Sequence, residues 1–204
     1  MFEFTKVTSR RVSQLLFVLS LGAAVTSVGC ASAQPSSSDD AGTQIVVSSD
    51  AKLVREQLAA RRKVQIARLH EYAAKGVFPR NVVSKQPINV FRDGDGHLCA
   101  VANLVDLDGQ HTLVDQTART DNFVRVAEQP AGALHDWVLT SGFTREEIAR
   151  IQAPYRPVQP DDVGFQQKET TRLQAHFAEV ERELLAHTDE SLDLAVARLQ
   201  PPAA

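Results

Sequence analysis

Cys99 and three histidines are the residues of this sequence best suited to nucleophilic chemistry. Cys99 stands near the start of a predicted helix, where the helix dipole would stabilise a thiolate, and His97, His111 and His135 lie in the same part of the chain. A neighbouring histidine could take the thiol proton, as in a thiol-dependent hydrolase. The residues flanking Cys99 are apolar, which is more typical of an inert thiol in a core. The sequence favours the inert thiol and keeps the hydrolase as the alternative.

Two carboxylate-rich turns could supply oxygen ligands to a metal ion. The Asp-Gly-Asp-Gly turn at 93–96 resembles a calcium loop, but Leu104 stands where an EF-hand has its closing glutamate. A transition metal could be bound by Asp106, Asp108, His111 and His97, but their spacing matches no defined set of metal ligands. We therefore predict polar turns at both places, with no metal, no cofactor and no catalytic set.

The first 33 residues have the three-part layout of a secretory signal. Basic residues at positions 6, 10 and 11 precede an uncharged apolar run over 15–28, and small residues follow over 29–33. An apolar run of about 14 residues is shorter than the roughly 20 that a membrane-spanning helix needs. The sequence therefore predicts export with removal of this segment.

Cys30 suits a different reaction, acylation of its sulfur. Gly29 and Cys30 fit the lipobox of bacterial lipoproteins, although Ser27 stands where leucine is preferred. We predict a lipoprotein signal peptide over 1–30 and lipidation of Cys30, which would anchor the chain to a membrane. The alternative is cleavage after Ala33, in an Ala-Ser-Ala site, which would release a secreted protein.

Composition limits what the mature chain can be. Residues 31–50 are rich in serine and aspartate and predict a flexible tether. The net charge is -3 for the whole chain and about -5 once residues 1–29 are removed, which argues against nucleic acid as a partner. If Cys30 is acylated, Cys99 is alone and no internal disulfide can form.

Hydrophobic periodicity predicts an α+β domain over 51–155, in which a small sheet or β-hairpin is packed by several helices. Alternating residues predict strands over 88–91 and 123–126. Thr144 and Glu147 form a capping box, and Gly76 is placed to end a helix. Helices are predicted over 51–75, 111–119 and 131–140, and from Thr144 to Pro154. A further helix is predicted from about Cys99, with a hairpin strand as the alternative for that segment.

Residues 156–204 predict a linker and a helical C-terminal extension. One helix carries an apolar seam that either folds back on the domain or meets another chain, formed by Leu173, Phe177, Val180 and Leu184. A short helix is predicted over 189–199. Earlier in the chain, a basic run in the 51–75 helix is expected to form a solvated face, with contact to anionic lipid or envelope polymer as the alternative; it comprises Arg55, Arg61, Lys63 and Arg68.

The stretch 91–155 resembles a family of secreted bacterial proteins of unknown function. The shared pattern is a glycine turn, Cys-Ala-Val at 99–101, Asn122, Trp137, Ser-Gly at 141–142, a capping threonine with glutamate, and Ile-Gln at 151–152 before proline and tyrosine. This chain departs from the pattern at Ala102, where glycine is expected, and by the extra Ala153. The resemblance implies one compact unit and carries no activity.

Taken together, the sequence predicts an exported lipoprotein with a non-catalytic binding or scaffolding role at the cell envelope. The expected location is the periplasmic face of a membrane or the outer membrane, reached through the anchor on Cys30. Its partners would be the membrane and an envelope protein or polymer. The alternative function is the thiol-dependent hydrolase that uses Cys99.

Overall fold

Seven α-helices form the regular structure of the described residues, 39–158 and 162–200 of a computed structural model. A 3₁₀ turn, Val126–Glu128, lies between the third and fourth helices. The helices are α1 (Asp39–Lys75), α2 (Ala100–Leu107), α3 (His111–Thr120), α4 (Ala133–Thr140), α5 (Arg145–Ile151), α6 (Val163–Ala186) and α7 (Thr188–Ala197). The predicted signal segment, Cys30 and residues 31–38 lie outside the described residues.

Helix α1 contacts α2, α6 and α7, so it packs on the middle and on the C-terminal helices of the described residues. The helix predicted over 51–75 is confirmed, and Gly76 follows its end with φ of +64°. The helix begins at Asp39, inside the range 31–50 assigned to a flexible tether. Among the described residues, we find no helix with both the length and the hydrophobicity of a membrane span.

The prediction of an α+β fold is wrong, because the described residues contain no strand and no sheet. The segments 88–91 and 123–126, predicted as strands, are irregular, and pairing is limited to isolated bridges. Ile88, for example, exchanges both backbone hydrogen bonds with Tyr155, but the pairing goes no further. The hairpin at the 93–96 turn likewise consists of the single bridge between Arg92 and Leu98.

Side-chain amides take the place of the missing neighbouring strands. The Asn122 amide accepts a hydrogen bond from the Arg92 N–H (2.9 Å) and donates one to the Arg92 carbonyl (2.8 Å). Gln152 accepts from the Val126 N–H (2.9 Å) and donates to the Val124 carbonyl (2.8 Å). Backbone groups that a sheet would pair are therefore satisfied by side chains from other parts of the sequence, and the extended segments need no ladder.

Helix α6 folds back onto the domain. Its predicted apolar seam is buried in the same core as α1 and α2, and the seam residues Leu173, Phe177, Val180 and Leu184 are all buried. Phe177 lies edge-on to Tyr72, with ring centroids 5.5 Å apart. A second, smaller cluster forms where Leu58 of α1 meets Leu192 and Ala195 of α7. The seam is thus occupied within this chain.

Arg62 crosses the centre of this helical assembly with a side chain only 1% exposed. Its guanidinium donates to both carboxylate oxygens of Glu147, at 2.7 and 2.8 Å, and lies over the Phe143 ring. It also donates to the carbonyls of Gly142 (3.0 Å) and Leu184 (2.7 Å). One buried cation therefore joins α1 to the start of α5, the turn before α5 and the end of α6.

Gly142 makes this junction possible. Its φ of +82° lies in the left-handed region, and a Cβ at this position would stand 2.5 Å from the Leu58 carbonyl and 2.9 Å from the Arg62 backbone nitrogen. Because the obstructing atoms belong to the backbone of α1, no side-chain rotation could relieve the contact. Glycine therefore sets how closely α1 approaches the α4–α5 turn.

We expect Glu147→Gln to destabilise the fold strongly, because it leaves the Arg62 charge buried without its counter-ion. Glutamine is nearly isosteric and still suits the capping position, so the loss reports the ion pair and is expected at roughly 3–5 kcal/mol. The matched control is Glu146→Gln, one residue earlier and exposed, with an expected loss below about 1 kcal/mol. Urea unfolding followed by the fluorescence of Trp137, the single tryptophan, measures both. Equal losses would contradict the role of the pair.

Gly142→Ala should be more destabilising than the same change at Gly109. Both glycines have φ near +80°, but a Cβ on Gly109 meets nothing within 4 Å. Gly109→Ala is therefore expected to cost only the left-handed strain, about 1–2 kcal/mol, while Gly142→Ala adds the collision with α1. The comparison uses the same unfolding measurement. If the two variants lose the same stability, the close approach is not what requires glycine.

Candidate functional site

Cys99 lies inside the core, with its residue 1% exposed. It is the N-cap of α2, as the helix prediction requires, and its sulfur accepts a hydrogen bond from the Ala102 N–H at 3.4 Å. Burial raises the pKa of the thiol to about 12, and the hydrogen bonds to the sulfur offset only part of that effect. A thiol with this pKa stays protonated and unreactive near neutral pH.

The three histidines proposed as partners of Cys99 are all bonded elsewhere. None of them forms a hydrogen bond with the thiol among the described residues. Their Nδ1 contacts are Asp93 for His97 (3.1 Å), Asp106 for His111 (2.6 Å), and the Gln129 carbonyl with Arg145 for His135 (3.0 and 2.8 Å). The exposed thiol–histidine pair on which the hydrolase alternative depends is therefore not formed in the described part of the chain.

The buried hydroxyls of Tyr72 and Tyr155 are grouped with the Cys99 region. Their oxygens are 3.5 Å apart, and Tyr72 donates to the Leu98 carbonyl at 2.9 Å. Burial raises the pKa of both phenols above its ordinary value. This polar cluster is closed inside the core, and its hydrogen bonds connect α1 to Leu98, before α2, and to Tyr155, after α5.

The 93–96 turn contains the one group of three possible metal ligands found among the described residues. Ligand atoms of Asp93, Asp95 and His97 lie within 4.8 Å of one another. Asp93, however, accepts hydrogen bonds from the N–H groups of Asp95 (3.0 Å), His97 (2.9 Å) and Arg80 (3.0 Å). Asp95 is paired with the Arg80 guanidinium. Both carboxylates are therefore bonded to groups of the protein, and the segment forms the turn that the sequence predicts.

Asp108, the other predicted turn carboxylate, organises a set of donors. It accepts from the Trp137 indole (2.7 Å), the Gln65 amide (2.7 Å), Arg61 (2.7 Å) and Arg68 (2.6 Å). Burial alone would raise the pKa of this carboxyl, but the donors outweigh it and the pKa lies below its ordinary value. His111 pairs with Asp106 instead, so the structure does not assemble the four candidate ligands around a metal position.

The basic run of α1 is mostly engaged in ion pairs rather than forming the expected solvated face. Arg61 and Arg68 are bound by Asp108, and Arg55 pairs with Asp189 and Asp193 of α7. Lys63 is exposed. Three of these four cations therefore connect α1 to other parts of the fold, which leaves less charge for an external polymer or lipid.

One surface groove contains a carboxylate, Glu146, with no hydrogen bond or ion pair among the described residues. It lies between α5, α6 and α7, and we call it the α5–α7 groove; its volume is 280 Å³. Three apolar side chains form its floor, namely Val180, Leu184 and Leu194. Three glutamates stand around it, namely Glu146, Glu183 and Glu190. In three other grooves of the described residues, of 410 to 640 Å³, every lining carboxylate is paired with an arginine.

Sequence reasoning missed both this groove and the Arg62–Glu147 pair. The capping box formed by Thr144 and Glu147 is confirmed, but it gave no hint that Glu147 also neutralises a residue of α1. The available signal was Arg62 itself, a cation inside the apolar face of a predicted helix. The groove requires three helices to meet, and no local pattern of one of them predicts it.

Comparison with known proteins adds no function. No family model, no curated protein and no solved structure matches this chain. The resemblance to secreted bacterial proteins remains a prediction that rests on the motif residues quoted for it. The functional proposal therefore depends on the residues and on the geometry of the described part of the chain.

We predict that Cys99 resists alkylation in the folded protein. The probe is iodoacetamide, applied to a Cys30→Ala variant in which Cys99 is the single cysteine. Because burial raises the thiol pKa to about 12, labelling should be negligible at neutral and mildly alkaline pH and complete in urea. Rapid labelling of the native protein with a midpoint near neutral pH would show a reactive thiolate and restore the hydrolase hypothesis.

Proposed function

We propose that this chain is an exported bacterial lipoprotein, anchored at the cell envelope through Cys30, whose helical domain is a non-catalytic binding or scaffolding module. The signal-like segment and the Gly29-Cys30 pair support the anchor. The anchor would hold the domain at the periplasmic face of a membrane or at the outer membrane. Cleavage after Ala33, with release of a secreted protein, is the alternative location.

The observation that carries the binding role is the α5–α7 groove. Most charged groups near the core are bound to partners within the chain, as Arg62 and Asp108 are. Glu146, in contrast, forms no hydrogen bond or ion pair among the described residues, although it lines an apolar depression. Apolar surface beside unpaired charge is typical of a contact surface for another molecule.

The hydrolase alternative receives little support from the surroundings of Cys99. A nucleophilic cysteine is expected in an electropositive and partly exposed environment, beside a base. The thiol here is sealed and has a raised pKa, and its helix is packed on apolar neighbours. A binding role therefore accounts for the described residues better than thiol chemistry does.

We expect cells that express the protein to incorporate radiolabelled palmitate into it, and Cys30→Ala to abolish the label. Cys99→Ala is the matched control and should retain the label, because that thiol is not the acylated one. The measurement is autoradiography of the immunoprecipitated protein, with fractionation of the cells. Label on the Cys30→Ala variant, or uncleaved full-length protein that is soluble in the cytoplasm, would refute the anchor.

A further inference from the structure

We infer that the α5–α7 groove binds a basic peptide segment of a partner protein, with an arginine or lysine side chain lying along its apolar floor. This inference rests on the proposed binding role and specifies the chemistry of the partner. Four observations support it: the charge around the groove, its apolar floor, its size, and the way the fold fixes the surrounding residues.

The first support is the charge around the groove. Three glutamates line it: Glu183 is bound to Arg150 at 2.7 Å, and Glu146 interacts electrostatically with Arg198 without a direct ion pair. Glu190 is 76% exposed, and its ion-pair partner within the described part of the chain is His187, at 3.6 Å. Among the residues that line the groove the carboxylates outnumber the arginines, so an approaching basic group is attracted and an acidic one is repelled.

The second support is the apolar floor. Leu194 is 56% exposed, although it stands between residues 192 and 195, which are buried against α1. Val180 and Leu184 lie beneath it but are buried in the core, so Leu194 supplies the exposed apolar surface among these three side chains. Arginine and lysine combine an aliphatic stem with a charged head, so one side chain can cover the leucine while its head reaches the carboxylates. An uncharged apolar side chain would use the floor alone.

The third support is size. A groove of 280 Å³ lies just below the roughly 300–1,000 Å³ that is typical of sites for whole small molecules. It has room for one long side chain of a larger partner. We therefore favour a segment of a protein, which adds contacts outside the groove, over a free small ligand.

The fold also holds the groove in a fixed shape. Glu147 and Ser191 both line it, and the Ser191 hydroxyl donates to Glu147 at 2.7 Å while Arg62 occupies both carboxylate oxygens. These polar atoms are therefore satisfied, and the unpaired acceptors left for a ligand are at the rim. A surface fixed before binding loses little conformational freedom when the partner arrives.

The test begins with a displayed library of random peptides, selected on the full-length protein solubilised in detergent. We expect the selected peptides to share an arginine or lysine beside an aliphatic residue. A synthetic fluorescent peptide of that sequence is then titrated by anisotropy against the wild type and against the double variant Glu146→Gln, Glu190→Gln. Loss of both rim charges should weaken binding at least tenfold, and added salt should weaken binding to the wild type.

The matched control is the double variant Glu56→Gln, Glu71→Gln. It removes the same net charge from exposed positions on α1, away from the groove, and should leave the affinity unchanged. Leu194→Ser tests the floor and should weaken binding several-fold. Since all these side chains are exposed, unchanged tryptophan fluorescence is expected to confirm that each variant remains folded.

Several outcomes would overturn the inference. Selection of uncharged or acidic peptides, or of no peptide, would exclude a basic segment as the occupant. If the rim and control variants weakened peptide binding equally, the loss of affinity would reflect the net charge of the protein and not the groove. Concentration-dependent self-association that the rim variant abolishes would assign the groove to a second copy of the chain. None of these results affects palmitate labelling at Cys30, so failure of this inference is distinguishable from failure of the proposed anchor.

Discussion

The need to neutralise the buried charge of Arg62 is the constraint on which the arrangement of the helices depends. An isolated charge transferred from water to a protein interior costs several kcal/mol or more, so a buried guanidinium requires a carboxylate and further acceptors. Glu147 supplies the carboxylate and two backbone carbonyls supply further acceptors, while the Nε–H of Arg62 has no hydrogen-bond partner among the described residues. Because these acceptors come from the α4–α5 turn, α5 and α6, satisfying one side chain fixes several elements relative to α1. Gly142 completes the constraint by allowing the turn to approach α1.

The same logic extends along α1. Asp108 receives two arginines and two neutral donors, and Arg55 reaches α7, so the helix is connected by charge as well as by its apolar face. Exposed pairs such as Arg55–Asp189 are expected to contribute little, typically about 0–1 kcal/mol, whereas the enclosed ones specify which helices meet. A basic run that resembles a polymer-binding face is therefore largely a set of internal connections.

Local signals in the sequence predicted the helices well and the extended segments badly. Capping at Thr144, the glycine after Lys75 and the seam of α6 each follow from residues a few positions apart. The predicted strands failed because an alternating sequence pattern does not identify what satisfies the backbone; burial does alternate at 123–126, but not at 88–91. Asn122 and Gln152 do so from distant positions, 30 and 26 or 28 residues away. Glu147 is 85 residues from Arg62, and no local pattern could pair them.

Two adjacent glutamates at the start of α5 illustrate how one local rule conceals two roles. Carboxylates are favoured in the first turn of a helix, so the dipole alone would account for both Glu146 and Glu147. Glu147 turns inward and is bound to Arg62, which also reaches the end of α6, and to Ser191 of α7. Glu146 is left outside, at the edge of the depression that this contact creates. The fold thus depends on Glu147, whereas Glu146 forms no hydrogen bond or ion pair within the described residues. A side chain that the fold does not require can contact a partner without loss of stability.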